Sequence, residues 1–181
     1  MPLAMLRRLL FLSAASLIFA GCANYQLGTG GKLTFTTLYV EPVTTKVLVP
    51  QGQAILSTQV RTAFNRDGRI TLVNSPEAAD ATLKIVISEF HREVATQRVG
   101  DSGLARKFTL TLGATATLTD RRSNRLLFTD RVVNAHRDVY TDEGNVGTVV
   151  KTNQLQAEYQ GFPLLADALS EKLAHAVLDV W

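Results

Sequence analysis

The sequence predicts an α+β domain: two helices packed on one face of a mostly antiparallel sheet of four to five strands. Three observations carry this. Phe108, Leu110, Leu112, Ala114, Ala116 and Leu118 alternate with Thr109, Thr111, Thr115, Thr117 and Thr119, the period-two signature of a half-buried strand. Ile55, Leu56, Val60, Ala63 and Phe64 recur at spacings of three and four, which puts one apolar stripe on a helix. The patterns then run in the order β-α-β-β-β-β-α, which places the strands together and leaves two helices to cover them.

Lys32 to Val43 reads as the first strand, through Leu33, Phe35, Leu38 and Val40. Its alternation lapses at Thr36-Thr37, where a bulge is expected, and Pro42 marks its end or an edge. Gln53 to Asp67 is the first helix, with Gly68 as its C-cap. Arg69 to Val73 is a short strand, turned by Asn74-Ser75-Pro76. Ala81 to Val99 is the longest strand signal. Leu83, Ile85, Ile87, Glu89 and His91 share one parity, and Val86 and Phe90 the other. The strand becomes polar towards Arg92, Glu93, Gln97 and Arg98. Gly100-Asp101-Ser102-Gly103 turns into the threonine strand. Asp120 to Asn124 is a hairpin loop, and Leu126 to Tyr140 returns as a further strand. Asp142 to Lys151 is glycine-rich and expected to be mobile. A helical pattern follows from Gln154 to the C-terminus, in which Pro163 makes a kink or marks the true start.

Residues 1–21 carry the parts of an export signal. Arg7 and Arg8 precede an apolar run, Leu9 to Ala20, which is too short to cross a bilayer as a helix. Leu17-Ile18-Phe19-Ala20-Gly21-Cys22 then reads as a lipobox, with small residues before the only cysteine. The expected organisation is a signal peptide over 1–21, a tether over 22–31 lipidated at Cys22, and a single α+β domain over 32–181. Ala23, where an aspartate would suggest inner-membrane retention, favours the outer membrane. Several acyl chains on one residue bind a membrane stably, whereas one does so only marginally. Removing the signal takes away Arg7 and Arg8 and leaves the charges nearly balanced, so the sequence gives no global field for nucleic acid.

Enzymatic readings find little support. His91, His136 and His175 are scattered without metal-ligand spacing, and a second cysteine is lacking. His136-Arg137-Asp138 matches a fragment of a kinase loop, but no glycine loop or partner motif accompanies it. Gly28-x-Gly30-Gly31 follows no strand and is no dinucleotide fingerprint. A non-enzyme without metal or cofactor is expected, apart from the covalent lipid.

Tyr25-Gln26-Leu27-Gly28 follows Cys22 closely, Glu41-Pro42-Val43 ends the first strand, and Arg61-Thr62-Ala63-Phe64 lies in the helix. Gly68 to Val73 follows, and Ala79-Asp80-Ala81-Thr82-Leu83 opens the long strand. The order of these short motifs resembles the lipopolysaccharide-assembly lipoproteins, LptE-like, of Gram-negative outer membranes. The resemblance covers essentially the whole chain after Cys22. It implies a plug within a large LptD-type outer-membrane barrel, one that helps the barrel assemble and helps deliver lipopolysaccharide to the outer leaflet. The protein would then sit in the outer membrane, lipid-anchored on its periplasmic side. Lipopolysaccharide carries phosphates, which arginine binds well. The candidate phosphate contacts are Arg92, Arg98, Arg106 and Lys107 around the Gly100 hairpin. Arg121, Arg122 and Arg125 form a separate cluster at the next hairpin. The alternative is a periplasm-facing lipoprotein that binds a soluble ligand or scaffolds another envelope complex. A concave apolar pocket in the free domain would favour that alternative. Burial of Thr109, Thr111, Thr115 and Thr117 only in a complex would favour the plug.

Overall fold

The computed structural model describes residues 33–98, 101–141 and 154–179; the side chains of 95–98 and 101–106 fall outside that description. Its strands are β1 (Thr37–Val40), β2 (Thr44–Thr45), β3 (Thr71–Leu72), β4 (Ala81–Arg98), β5 (Asp101–Asp120) and β6 (Arg125–Tyr140). The helices are α1 (Gly52–Asp67) and α2 (Gln154–Leu178), and Pro76–Ala78 forms a 3-10 turn. The sheet order is β3-β1-β4-β5-β6, with β2 also on β4.

The α+β class and the two-helix layer stand, but the sheet has six strands and is mixed. The three long strands are antiparallel. The short β1, β2 and β3 pair in parallel. The extra strand comes from the interruption at Glu41-Pro42-Val43. Proline has no N–H to give a ladder. β1 therefore stops at Val40, opposite Leu83, and the chain rejoins β4 at Thr44, opposite Val86. The strand expected over Lys32 to Val43 is thus confined to Thr37–Val40, and a second short strand follows just past its expected end.

The alternating strand behaves as its pattern requires. Phe108, Leu110, Leu112, Ala114, Ala116 and Leu118 are wholly buried, beneath the helices. The threonines face away and are half-buried between neighbouring strands. α1 buries Leu56, Val60, Ala63 and Phe64, and Gly68 ends it with φ 73°, donating its N–H to the Phe64 carbonyl at 3.1 Å. α2 buries Leu165, Leu169, Leu173 and Val177. Pro163 lies inside α2, nine residues past its first residue, Gln154, so the proline does not mark the start. It removes the N–H that would have bonded the Tyr159 carbonyl.

β4 contains a bulge at Ser88. Ile87 pairs with Ala114 and Glu89 with Gly113, so Ser88 is an extra residue. A side-chain period of two means that one extra residue exchanges the faces. Before it, Leu83, Ile85 and Ile87 point inward. After it, Phe90 and Arg92 lie opposite inward-facing Leu112 and Leu110. Glu89 and His91, which share parity with Ile87 in the sequence, stand on the outer face beside Gly113 and Thr111.

Candidate functional site

The bulge equips one end of the sheet. Past Ile87 the inner face of β4 carries Phe90, and α2 supplies Phe162, whose ring meets Phe90 edge-on at 5.8 Å and 70°. The loop before α1 brings Val49, which is buried, and Leu48, which is 91% exposed. The first turns of α2 add Leu155 and Tyr159, both mostly exposed. Together these walls enclose an open groove of about 390 Å³ that also touches Ile55 and Arg92. Gly52 permits the close approach here, because a Cβ on it would meet the Val49 side chain at 2.5 Å and Phe162 at 3.3 Å.

One ion pair closes the groove. Arg92 donates from Nε at 3.0 Å and from Nη2 at 2.6 Å to the same Glu158 oxygen, Oε1. The Glu158 side chain is only 11% exposed and that of Arg92 40%. A carboxylate shielded this far needs its cation, since desolvation disfavours an unpaired charge.

The candidate cations do not form one patch among the described residues. Arg92 faces the helices. Lys107 faces the other way, 2.7 Å from Asp138 Oδ2 and 5.8 Å from the Tyr140 ring centre. Asp138 holds the Lys107 ammonium above its usual pKa, and Lys107 with the Thr109 hydroxyl lowers that of Asp138. Arg98 and Arg106 lie on β4 and β5 near their shared hairpin, but their side chains fall outside the described residues, as does Cys22. The second cluster sits at the opposite sheet end, as expected for adjacent hairpins. No group of three or more His, Cys, Asp or Glu able to hold a metal ion occurs among the described residues.

A family model described as lipopolysaccharide-assembly, LptE, matches residues 35–179. The chain belongs to the LptE family. Its fold is also that of a minor lipoprotein from Acinetobacter baumannii: TM-score 0.50, 19% identity, over 80% of this chain and 92% of that one. A protein from Xanthomonas campestris shares it with a TM-score of 0.56 and 16% identity, over 82% and 86%. No curated protein matches the sequence.

LptE membership makes Asp80 worth a physical account, because its Ala-Asp-Ala-x-Leu step carries part of the resemblance. Its Oδ2 accepts from the Thr36 N–H at 2.9 Å, the Thr36 hydroxyl at 2.9 Å and the Thr37 N–H at 3.1 Å. Its Oδ1 accepts from Arg122, and its carbonyl from the Arg121 N–H. One carboxylate thus ties the start of β1 to the β5–β6 hairpin. These bonds, led by the Thr36 N–H, hold its pKa far below the usual carboxylate range. Arg122 of the second cluster is committed to this bond. The lapse at Thr36-Thr37 is this junction, with both backbone N–H groups turned onto Asp80.

The sequence reading missed Phe90, Leu155, Glu158 and Phe162 as members of a site. The one available signal was the off-parity Phe90 in an otherwise regular apolar strand. No helix among the described residues is long and apolar enough to cross a membrane.

Proposed function

We propose that this LptE-family protein is an outer-membrane lipoprotein, anchored through lipid on Cys22 after removal of residues 1–21. It plugs and assists assembly of an LptD-type β-barrel that delivers lipopolysaccharide to the outer leaflet. The observation that carries this is the family match over 35–179, which spans both helices and every strand. The role is non-catalytic: it positions and shields. Arg92, Arg98, Arg106 and Lys107 are the proposed phosphate contacts; of these, Arg92 lies on the inner face of the sheet and Lys107 on the outer.

The groove favours a second element, ligand binding by the free domain. It is concave and mostly apolar, with one polar pair, as small-molecule sites usually are. The ligand-binding lipoprotein therefore remains the alternative.

The deciding experiment is a mild-detergent pull-down of tagged full-length protein from native membranes, beside Cys22→Ser. A large barrel recovered in near-equal amount with the wild type, and depleted with the serine variant, supports the plug. Recovery of folded, lipidated protein alone refutes it and leaves the ligand-binding alternative.

A further inference from the structure

We propose that the groove between β4 and the start of α2 holds one acyl chain of lipopolysaccharide, and that Arg92, kept in place by Glu158, turns its remaining guanidinium N–H groups to a headgroup phosphate. This rests on the reading that the protein handles lipopolysaccharide.

The occupant follows from the walls. Leu48, Leu155 and Tyr159 form a rim of large apolar side chains left in water, the mark of an interaction site. The floor is preformed, because Phe162 is held edge-on by Phe90. About 390 Å³ admits roughly a dozen methylene groups, taking ~30 Å³ for each as for a water molecule. A peptide would bring a run of backbone polar groups, and the side chains of the lining offer them few partners beyond Gln51, the Tyr159 hydroxyl and an ion pair already satisfied. A hydrocarbon chain needs none.

The charge sits where an anionic amphiphile needs it. Arg92 lies at the wall with its guanidinium partly exposed, and its bond to Glu158 uses a single carboxylate oxygen. The Nη1 end of the guanidinium takes no part in that pair and is left for a phosphate oxygen, a charge-assisted bond that arginine makes well. Pro163 also leaves the Tyr159 carbonyl without its helical donor, so the rim turn is tied less firmly than the rest of α2.

The test is photo-crosslinking in intact cells with the full chain. Benzoylphenylalanine is placed at Leu155, at Tyr159 and, as a control, at Val132 on the outer sheet face, which is also exposed. Adducts with lipopolysaccharide and with barrel protein are scored separately. The expected result is a lipopolysaccharide adduct at Leu155 and Tyr159, weak at Val132. Leu155→Asp should reduce the Tyr159 adduct about tenfold, because a charge is costly against an acyl chain. Glu158→Gln, isosteric and expected to fold, should reduce it, because Arg92 loses the carboxylate that positions it at the groove. Adducts only with barrel protein at Leu155 and Tyr159 overturn the proposal and leave the plug reading standing. Equal lipopolysaccharide adducts at all three positions, or no effect of Leu155→Asp in a variant whose circular dichroism is unchanged, overturn the groove but not lipopolysaccharide handling. An unchanged or stronger adduct with Glu158→Gln overturns the placing of Arg92 by Glu158.

Discussion

Replacing Asp80 by alanine tests whether one carboxylate fastens β1 to the β5–β6 hairpin. Its Oδ2 accepts three bonds and its Oδ1 one. A bond to a charged acceptor contributes ~1.5–3 kcal/mol when shielded. Only the Thr37 N–H is part-buried among these donors. Thr36 is exposed and water replaces its lost partner. The Arg122 side chain is 72% exposed, so its pair adds at most ~1 kcal/mol. The expected loss is therefore about 2–3 kcal/mol, or roughly 5–10 °C in Tm for a domain near 150 residues. Asp80→Asn keeps the shape and removes the charge, which isolates the pH dependence. The folded-state pKa is depressed, so the unfolded chain binds the proton more readily and stability rises with pH. The stabilisation is fully present above the ordinary aspartate pKa of ~3.9 and is lost as pH falls below it towards the folded value. Chemical denaturation at a series of pH values should show a wild-type advantage over Asp80→Asn that is flat above about pH 5 and shrinks below about pH 4. A Tm for Asp80→Ala within about 1 °C of wild type, or an advantage over Asp80→Asn that ignores pH, would refute the reasoning.

Leu169→Ala should cost ~2–5 kcal/mol by urea denaturation, because Leu169 is wholly buried and its loss leaves a cavity. Gly161→Ala should lower the Tm, because its Cβ meets the Val139 side chain beneath α2. In a Val139→Ala background the same change should raise the Tm, since room is then available and alanine is the better helix former by ~1 kcal/mol. No change of sign between the two backgrounds would remove the close approach as the reason for glycine.

What was legible follows from where one local period dominated. The 108–119 strand alternates without interruption, so its inner and outer faces were read directly. α1 has a full apolar stripe and a glycine at the position where only a left-handed residue ends it, so its end was placed within a residue. The first strand is half-legible: Pro42 marks an end or an edge, but the return at Thr44, just past the expected end at Val43, depends on β4 lying alongside. Two β-strand residues carry no periodic signal of their own. The start of α2 was ambiguous because a proline argues locally for a boundary. Burial of Ala157 and Glu158 ahead of it shows that packing, not propensity, sets the helix there. The groove was hidden for a related reason. Arg92 was picked as a loop cation, yet its place depends on Ser88 and its partner on a helix 66 residues away.

Ser88 itself offers the sharpest check on this account. A bulge adds one residue to one strand, and no glycine or proline announces it here. If Ser88 is the surplus residue, deleting it joins Ile87 directly to Glu89. Ile87 stays opposite Ala114, Glu89 opposite Gly113 and Phe90 opposite Leu112. Every inward side chain keeps its face, and the loss is confined to local twist and to the adjoining contact where the Lys46 N–H bonds the Ile87 carbonyl. Deleting Phe90 instead leaves His91 to take the place opposite Leu112, or shifts the remainder of β4 by one residue and exchanges its faces. The first deletion should lower stability by about 1–2 kcal/mol, within the common range for single changes. The second should cost several times more, since it removes the aromatic that seats Phe162 and presents an imidazole to the core. Urea denaturation of both deletions, with near-ultraviolet circular dichroism to report aromatic packing, separates the cases. Equal losses would mean that the register past Ile87 is not set by Ser88, and the placing of Phe90 and Arg92 at the groove would need another cause.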